Sequence, residues 1–240
     1  MGVKQISKSL KASGNALGDN FYQLKVLSQK DIQDGGYESF QKKLKSINVD
    51  AIKVSQLEIF QINIGKLCNQ TCSHCHVDAG PDRKEIMTQS TMDYCIQVAQ
   101  KTGVKTVDLT GGAPEMNPHF TYLISELSKL GIEIIVRSNL TILVANEKYK
   151  TYPEFFKQHG VTVISSLPCY TSDNVDKQRG IGVFDASIKA LKKLNEIGYG
   201  MPNSNLKLHL VYNPGGPSLP PPQEKLQADY THFLQQNFGI

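Results

Sequence analysis

The chain of 240 residues carries 26 basic and 22 acidic side chains, a net charge of +4, with 40% hydrophobic and 20% charged residues. That size and balance suit one globular domain with an extension, and the scattered lysines give nucleic-acid binding no support. No apolar stretch approaches the roughly 20 residues needed to span a bilayer, and five cysteines, odd in number and clustered, argue against a disulfide framework and for a reducing cytoplasm.

Residues 1–54 read as a polar, weakly periodic N-terminal extension, with short helices expected over 21–27 and 37–47. Its start, Met1 to Ser7, lacks the apolar core of a signal peptide. From residue 58 strands and helices alternate. Residues 58–64 alternate apolar and polar side chains, which is strand periodicity. A cysteine-rich loop follows, then a helix over 90–102 with Met92, Cys95, Ile96 and Ala99 on one face and Gly103 as its stop. The second strand, 105–109, runs into Thr110-Gly111-Gly112-Ala113-Pro114-Glu115. The next helix is expected to start on Asn117 as cap and Pro118 as first residue, with Phe120, Leu123, Ile124, Leu127 and Leu130 as its apolar stripe. Strands at 132–136, 161–166 and 206–212 and helices near 153–159, 184–197 and 226–234 complete the pattern, with a proline-rich loop at 215–222. Five βα units imply an α/β fold with a parallel sheet and right-handed crossovers. Because no reversal of strand order is marked, a partial barrel of the (βα)6 type is expected. The chain stops where a sixth strand would start. The residues with chemistry all follow strands, the edge where α/β folds bind ligands.

The densest chemistry is Cys68-x3-Cys72-x2-Cys75, on the loop after the first strand. Three thiolates on one polar loop bind a soft metal. Structural zinc usually takes two C-x2-C pairs or terminal histidines, and here only His74 or His76 stands ready as a fourth ligand. A four-iron cluster takes four cysteines, so three leave one iron open, which is a catalytic arrangement.

These residues resemble the radical S-adenosylmethionine (SAM) superfamily. The resemblance extends over 57–83, over Thr110 to Glu115, over Ser165 to Tyr170 with Asn174 to Gly180, and over Val211 to Gly216 with Leu219-Pro220-Pro221. Together these blocks are similar to the arsenosugar-biosynthesis radical SAM proteins over about residues 55–240, the expected radical SAM core. The resemblance implies that Cys68, Cys72 and Cys75 hold a [4Fe-4S] cluster whose fourth iron binds SAM. One electron then cleaves SAM, and the 5′-deoxyadenosyl radical adds to dimethylarsinous acid, a methylated trivalent arsenical. Reduced flavodoxin or ferredoxin is the implied electron donor. Two departures stand out. His74 occupies the position before the last cysteine where the superfamily usually has an aromatic residue, and the family's cysteine-rich C-terminal region is absent from this chain.

The resemblance also implies that Gly111, Gly112 and Ala113 bind the SAM amino group. Asn139, just past the third strand, is a candidate for the methionine carboxylate or ribose, and Ser166, past the fourth, for the ribose, or each for turn or cap chemistry. Arg137 is a candidate partner of the carboxylate or of a surface acid, and His74 of adenine. Cys169, in the loop after the fourth strand, is either the thiol that holds arsenic or a buried loop thiol, whereas Cys95 belongs to a helix core. Gln178-Arg179-Gly180 either closes over the site or forms a solvated turn. Two other readings remain open at this point: a radical SAM enzyme that abstracts hydrogen from another small metabolite or peptide, and a non-enzymatic zinc-binding module or inactive fragment.

Overall fold

A computed structural model describes residues 8–28, 38–53, 55–216 and 219–240. Five short strands form one parallel sheet in the order β1-β2-β3-β4-β5, each beside its neighbour in sequence. They are β1 (Ile59–Asn63), β2 (Thr106–Thr110), β3 (Glu133–Ser138), β4 (Thr162–Ser166) and β5 (Leu208–Val211). The register runs straight across, with Val107 beside Ile134, Val136 beside Val163 and Ser166 beside Val211. This monotonic order is that of a partial barrel.

Period-2 patterning gives the sheet two different faces. Val107, Leu109, Ile134, Val136 and Val163 point to one side and are almost fully buried. On the opposite side Gln61, Asp108 and Arg137 form a polar row. Gln61 Nε2 donates to Asp108 Oδ2 at 3.0 Å, and Arg137 Nε and Nη2 donate to the same carboxylate at 2.8–3.0 Å.

In chain order, the helices are α1 (Asn20–Ser28), α2 (Phe40–Ser46), α3 (Gln89–Thr102), α4 (Phe120–Lys129), α5 (Tyr152–Gln158), α6 (Ser172–Arg179), α7 (Val183–Glu196) and α8 (Gln223–Phe238). The expected stripe of α4 is fully buried at Phe120, Leu123, Ile124 and Leu127. Each such side chain contributes about 1.5–3 kcal/mol of burial. The stops after α3 and α4 are glycines in the left-handed region, Gly103 and Gly131.

Three expectations shift. The helix after β2 starts at Phe120, two residues beyond Pro118, because Asn117 is occupied elsewhere. Its Nδ2 donates to the carbonyls of Ile64 and Met87, and its Oδ1 accepts from His119 N. The stretch containing Gln178 and Arg179 is not a solvated turn but the end of α6, a helix whose polar sequence hides it from apolar periodicity. The helix expected over 37–47 spans Phe40–Ser46. Tyr37, residues 1–7 and the Pro217-Ser218 part of the proline-rich loop lie outside the described residues.

The N-terminal segment is fastened to the loop after β1. The backbone N–H groups of Leu10 and Lys11 donate to Asp78 at 2.6 and 3.1 Å, and the Ser9 hydroxyl donates to Asp82. Asp78 is also ion-paired with buried Arg83. Among the described residues no helix is long and apolar enough to cross a membrane.

Candidate active site

The loop between β1 and α3 doubles back on itself before it reaches the helix. Lys66 N donates to Glu85 O, Gly80 N to Lys66 O, and Cys68 N to Gly80 O, all within 2.8–3.1 Å. The three cysteines ride on the outward arm of this excursion. None is in a disulfide.

What holds this arm against the sheet is the loop after β2. Gly112 N donates to Gly65 O and Ala113 N to Leu67 O, each at 2.9 Å. The approach is so close that a Cβ on Gly112 would lie 2.5 Å from the Leu67 carbonyl oxygen. Gly111 has φ +153°, and a Cβ there would meet Gly65 O at 2.7 Å. The two glycines are therefore required by the passage of the cysteine loop over them. The N–H groups of Gly112 and Ala113 are spent on that passage.

A cavity of about 280 Å³ opens at the C-terminal ends of the strands. Its lining gathers the triad, His74, Gly111, Gly112, Asn139 and Ser166. Arg137 and Arg179 also line it. Ala113 is buried behind its two glycines and does not reach the cavity wall. A larger cavity, about 680 Å³, runs between β5 and α8, away from the cysteines.

Cys68 and Cys72 are thiols largely out of water. Burial pushes the Cys68 thiol up to about 12, partly opposed by hydrogen bonding from the Gln70 backbone and from Asn139. Burial also raises Cys72, with the Arg179 charge opposing it. Such thiols are poor free thiolates, and a bound cation is the ordinary way to keep them deprotonated. Burial lowers the pKa of His74, and the Arg179 charge lowers it further. Among the described residues no group of three His, Cys, Asp or Glu side chains stands close enough to hold one metal ion.

Asn139 is engaged with the cysteine loop. Its Nδ2 donates to Asn69 Oδ1 at 2.7 Å and approaches Cys68 Sγ at 3.5 Å, and its Oδ1 accepts from Ile142 N. Ser166 lines the cavity with its backbone carbonyl taken by Arg179. Arg137 turns to Asp108, a buried acid, and not to a surface one. Cys169 is not among the lining residues. Its thiol contacts Thr171 Oγ1 at 3.3 Å and Asn174 Nδ2 at 3.6 Å. Cys95 packs partly buried against the core from α3.

Sequence reasoning left undecided or missed the residues that knit the site together. The end of α6 reaches four segments at once. Gln178 O accepts from Ser73 N, and the Gln178 side chain exchanges hydrogen bonds with Asn213 after β5. Arg179 donates to Gln70 Oε1 at 2.9 Å, to Asn139 O at 3.3 Å and to Ser166 O. No local pattern marks these residues, because their partners lie up to 109 positions away.

Comparison with known proteins agrees with this architecture. Residues 62–212 match the radical SAM superfamily model. A probable GTP 3′,8-cyclase of Pyrococcus horikoshii is 27% identical over 161 residues, covering 65% of this chain and 47% of the relative. One of Saccharolobus solfataricus is 27% identical over 158 residues, covering 65% and 48%. The chain thus spans about half the length of these relatives. Among solved structures, Streptococcus suis SuiB bound to S-adenosylmethionine shares the fold with a TM-score of 0.57 at 19% identity, over 82% of this chain and 41% of SuiB. The chain belongs to the radical SAM superfamily, whose members work with a [4Fe-4S] cluster and SAM.

Proposed function

We propose that Cys68, Cys72 and Cys75 hold the [4Fe-4S] cluster and that the chain transfers the 5′-deoxyadenosyl group to a methylated trivalent arsenical. The chemistry is assigned to residues 55–240, with 1–54 as an extension. The observation that carries the cluster assignment is the convergence of three buried or half-buried thiols on the wall of one cavity at the ligand edge of the sheet. The donor set fits the group: three soft ligands, of which burial disfavours Cys68 and Cys72 as free thiolates, leaving one iron open. The arsenical substrate is supported by the four sequence blocks, above all Thr110-Gly111-Gly112-Ala113-Pro114-Glu115 and Val211-Tyr212-Asn213-Pro214-Gly215-Gly216.

When bound, the cluster supplies the electron that splits SAM into methionine and the 5′-deoxyadenosyl radical. The chain's own residues bind and orient. The side-chain-free edge at Gly111 and Gly112 offers carbonyl oxygens to the SAM ammonium group. His74, on the cavity wall, flanks the adenine. Ser166 is assigned to the ribose, and Asn139 holds the cysteine loop beside it. Reduced flavodoxin or ferredoxin is the assigned electron donor. Cys169 is assigned as the thiol that meets arsenic, and it directly follows Pro168, which lines the cavity.

A second reading is hydrogen abstraction from another small metabolite or peptide, and relatives named as probable GTP 3′,8-cyclases favour a substrate other than an arsenical. Product analysis decides. Reconstituted protein is incubated anaerobically with SAM, dithionite and dimethylarsinous acid, and products are read by mass spectrometry. An adenosyl–arsenic adduct is expected. Free 5′-deoxyadenosine without adduct would favour abstraction, and a colourless protein that binds zinc in place of iron would overturn both.

A further inference from the structure

Among the described residues Arg179 is a buried cation with no carboxylate partner. It is 3% exposed. Its Nη1 and Nη2 donate to two backbone carbonyls and to the Gln70 amide oxygen, all neutral acceptors. Its Nε is buried and has no hydrogen-bond partner among the described residues. Burying a charge is costly unless a charge of opposite sign answers it. An N–H left unpaired adds to that cost.

The place of this guanidinium says what answers it. It lines the same cavity as the cysteines and lies beside Cys72. An iron–sulfur cluster with three thiolate ligands is an anionic body with sulfur acceptors on its surface. Hydrogen bonds to those sulfurs and nearby charge are what set its potential.

We propose that Arg179 is a positioning residue for the cluster: its fixed charge and a guanidinium N–H face the Cys72 side and raise the reduction potential. This rests on the triad holding the cluster, as assigned above. A positive charge stabilises the reduced form, which carries one more electron, over the oxidised form. The three anchored hydrogen bonds keep the guanidinium from turning away, and Gly180, with φ +116°, ends α6 immediately behind it. The same residue joins Gln70 on the cysteine loop to the ends of β3 and β4, so position and charge are set together.

The test compares wild type, Arg179→Gln and Arg179→Lys after anaerobic reconstitution. Iron and sulfide are counted, and the cluster is titrated by electron paramagnetic resonance without SAM. Arg179→Gln is expected to lower the reduced-to-oxidised ratio at fixed potential about tenfold, which is about 59 mV for one electron. Arg179→Lys should recover part of it. A second readout needs no variant. In wild type grown with ¹⁵N-arginine, hyperfine spectroscopy of the reduced cluster should show a ¹⁵N coupling and an exchangeable proton.

Equal potentials in the three proteins, or no arginine coupling in the wild type, overturn the proposal. So does an unchanged potential with weakened SAM binding in Arg179→Gln, which would give the guanidinium to the methionine carboxylate. A wild type that takes up no iron overturns the triad assignment itself, and is thereby told apart from failure of this proposal alone.

Discussion

Glu115 is fully buried, and neither carboxylate oxygen has a hydrogen-bond partner among the described residues. Burial lifts its pKa from 4.5 to about 7, and the nearby Ser138 hydroxyl offsets this only in part. In the unfolded chain the group ionises at its ordinary value, so the native state is favoured while both forms are neutral. That advantage is present below pH 4.5 and is lost as pH rises toward about 7. At about 1.36 kcal/mol per pKa unit, the full loss is about 3 kcal/mol. Most of it, about 2–3 kcal/mol, falls between pH 5 and pH 8. The perturbation is Glu115→Gln, which keeps the shape and removes the titration. Urea unfolding of metal-free wild type and variant at several pH values across that window isolates the group, because every other titration cancels in the difference. The variant is expected to gain on the wild type as pH rises. A difference that stays constant from pH 5 to 8 would refute the reasoning.

Gly112→Ala places a Cβ 2.5 Å from Leu67 O and 2.8 Å from Lys66 O. The cysteine loop must give way, at about 1–3 kcal/mol of overpacking, and iron uptake on reconstitution should fall with the melting temperature. Asp78→Ala removes the acceptor for Leu10 N and Lys11 N and one partner of buried Arg83. A loss of about 3 kcal/mol in chemical denaturation is expected, with faster proteolysis within residues 8–20. Cys169→Ser should leave iron content and SAM cleavage intact and abolish the arsenic adduct. An adduct formed at the wild-type rate removes Cys169 from the site.

The sheet was legible because each strand is bounded by turn chemistry and each long helix has an apolar stripe. Phe120, Leu123, Ile124 and Leu127 are spaced for one face, and that face is buried. The helix start near Asn117 was misplaced because a cap residue and a long-range tie look alike in sequence. Asn117 spends its amide on Ile64 and Met87. The cysteine spacing is local and so is visible in the chain. The residues that brace it are not. Arg179 sits in a polar run with no apolar period, and its side chain reaches the chain at the ends of β3 and β4 only in the folded state. The reason for Gly111-Gly112 is likewise tertiary: the backbone of 65–67 passes over it.

The most direct test of the account counts iron and sulfide in anaerobically reconstituted wild type and in a Cys68→Ser/Cys72→Ser/Cys75→Ser variant. Wild type is expected to hold about four of each per chain, to absorb broadly near about 400 nm, and to change its reduced resonance spectrum when SAM is added. The triple variant should hold none. Equal iron in both proteins, or a colourless wild type carrying zinc, would contradict the account.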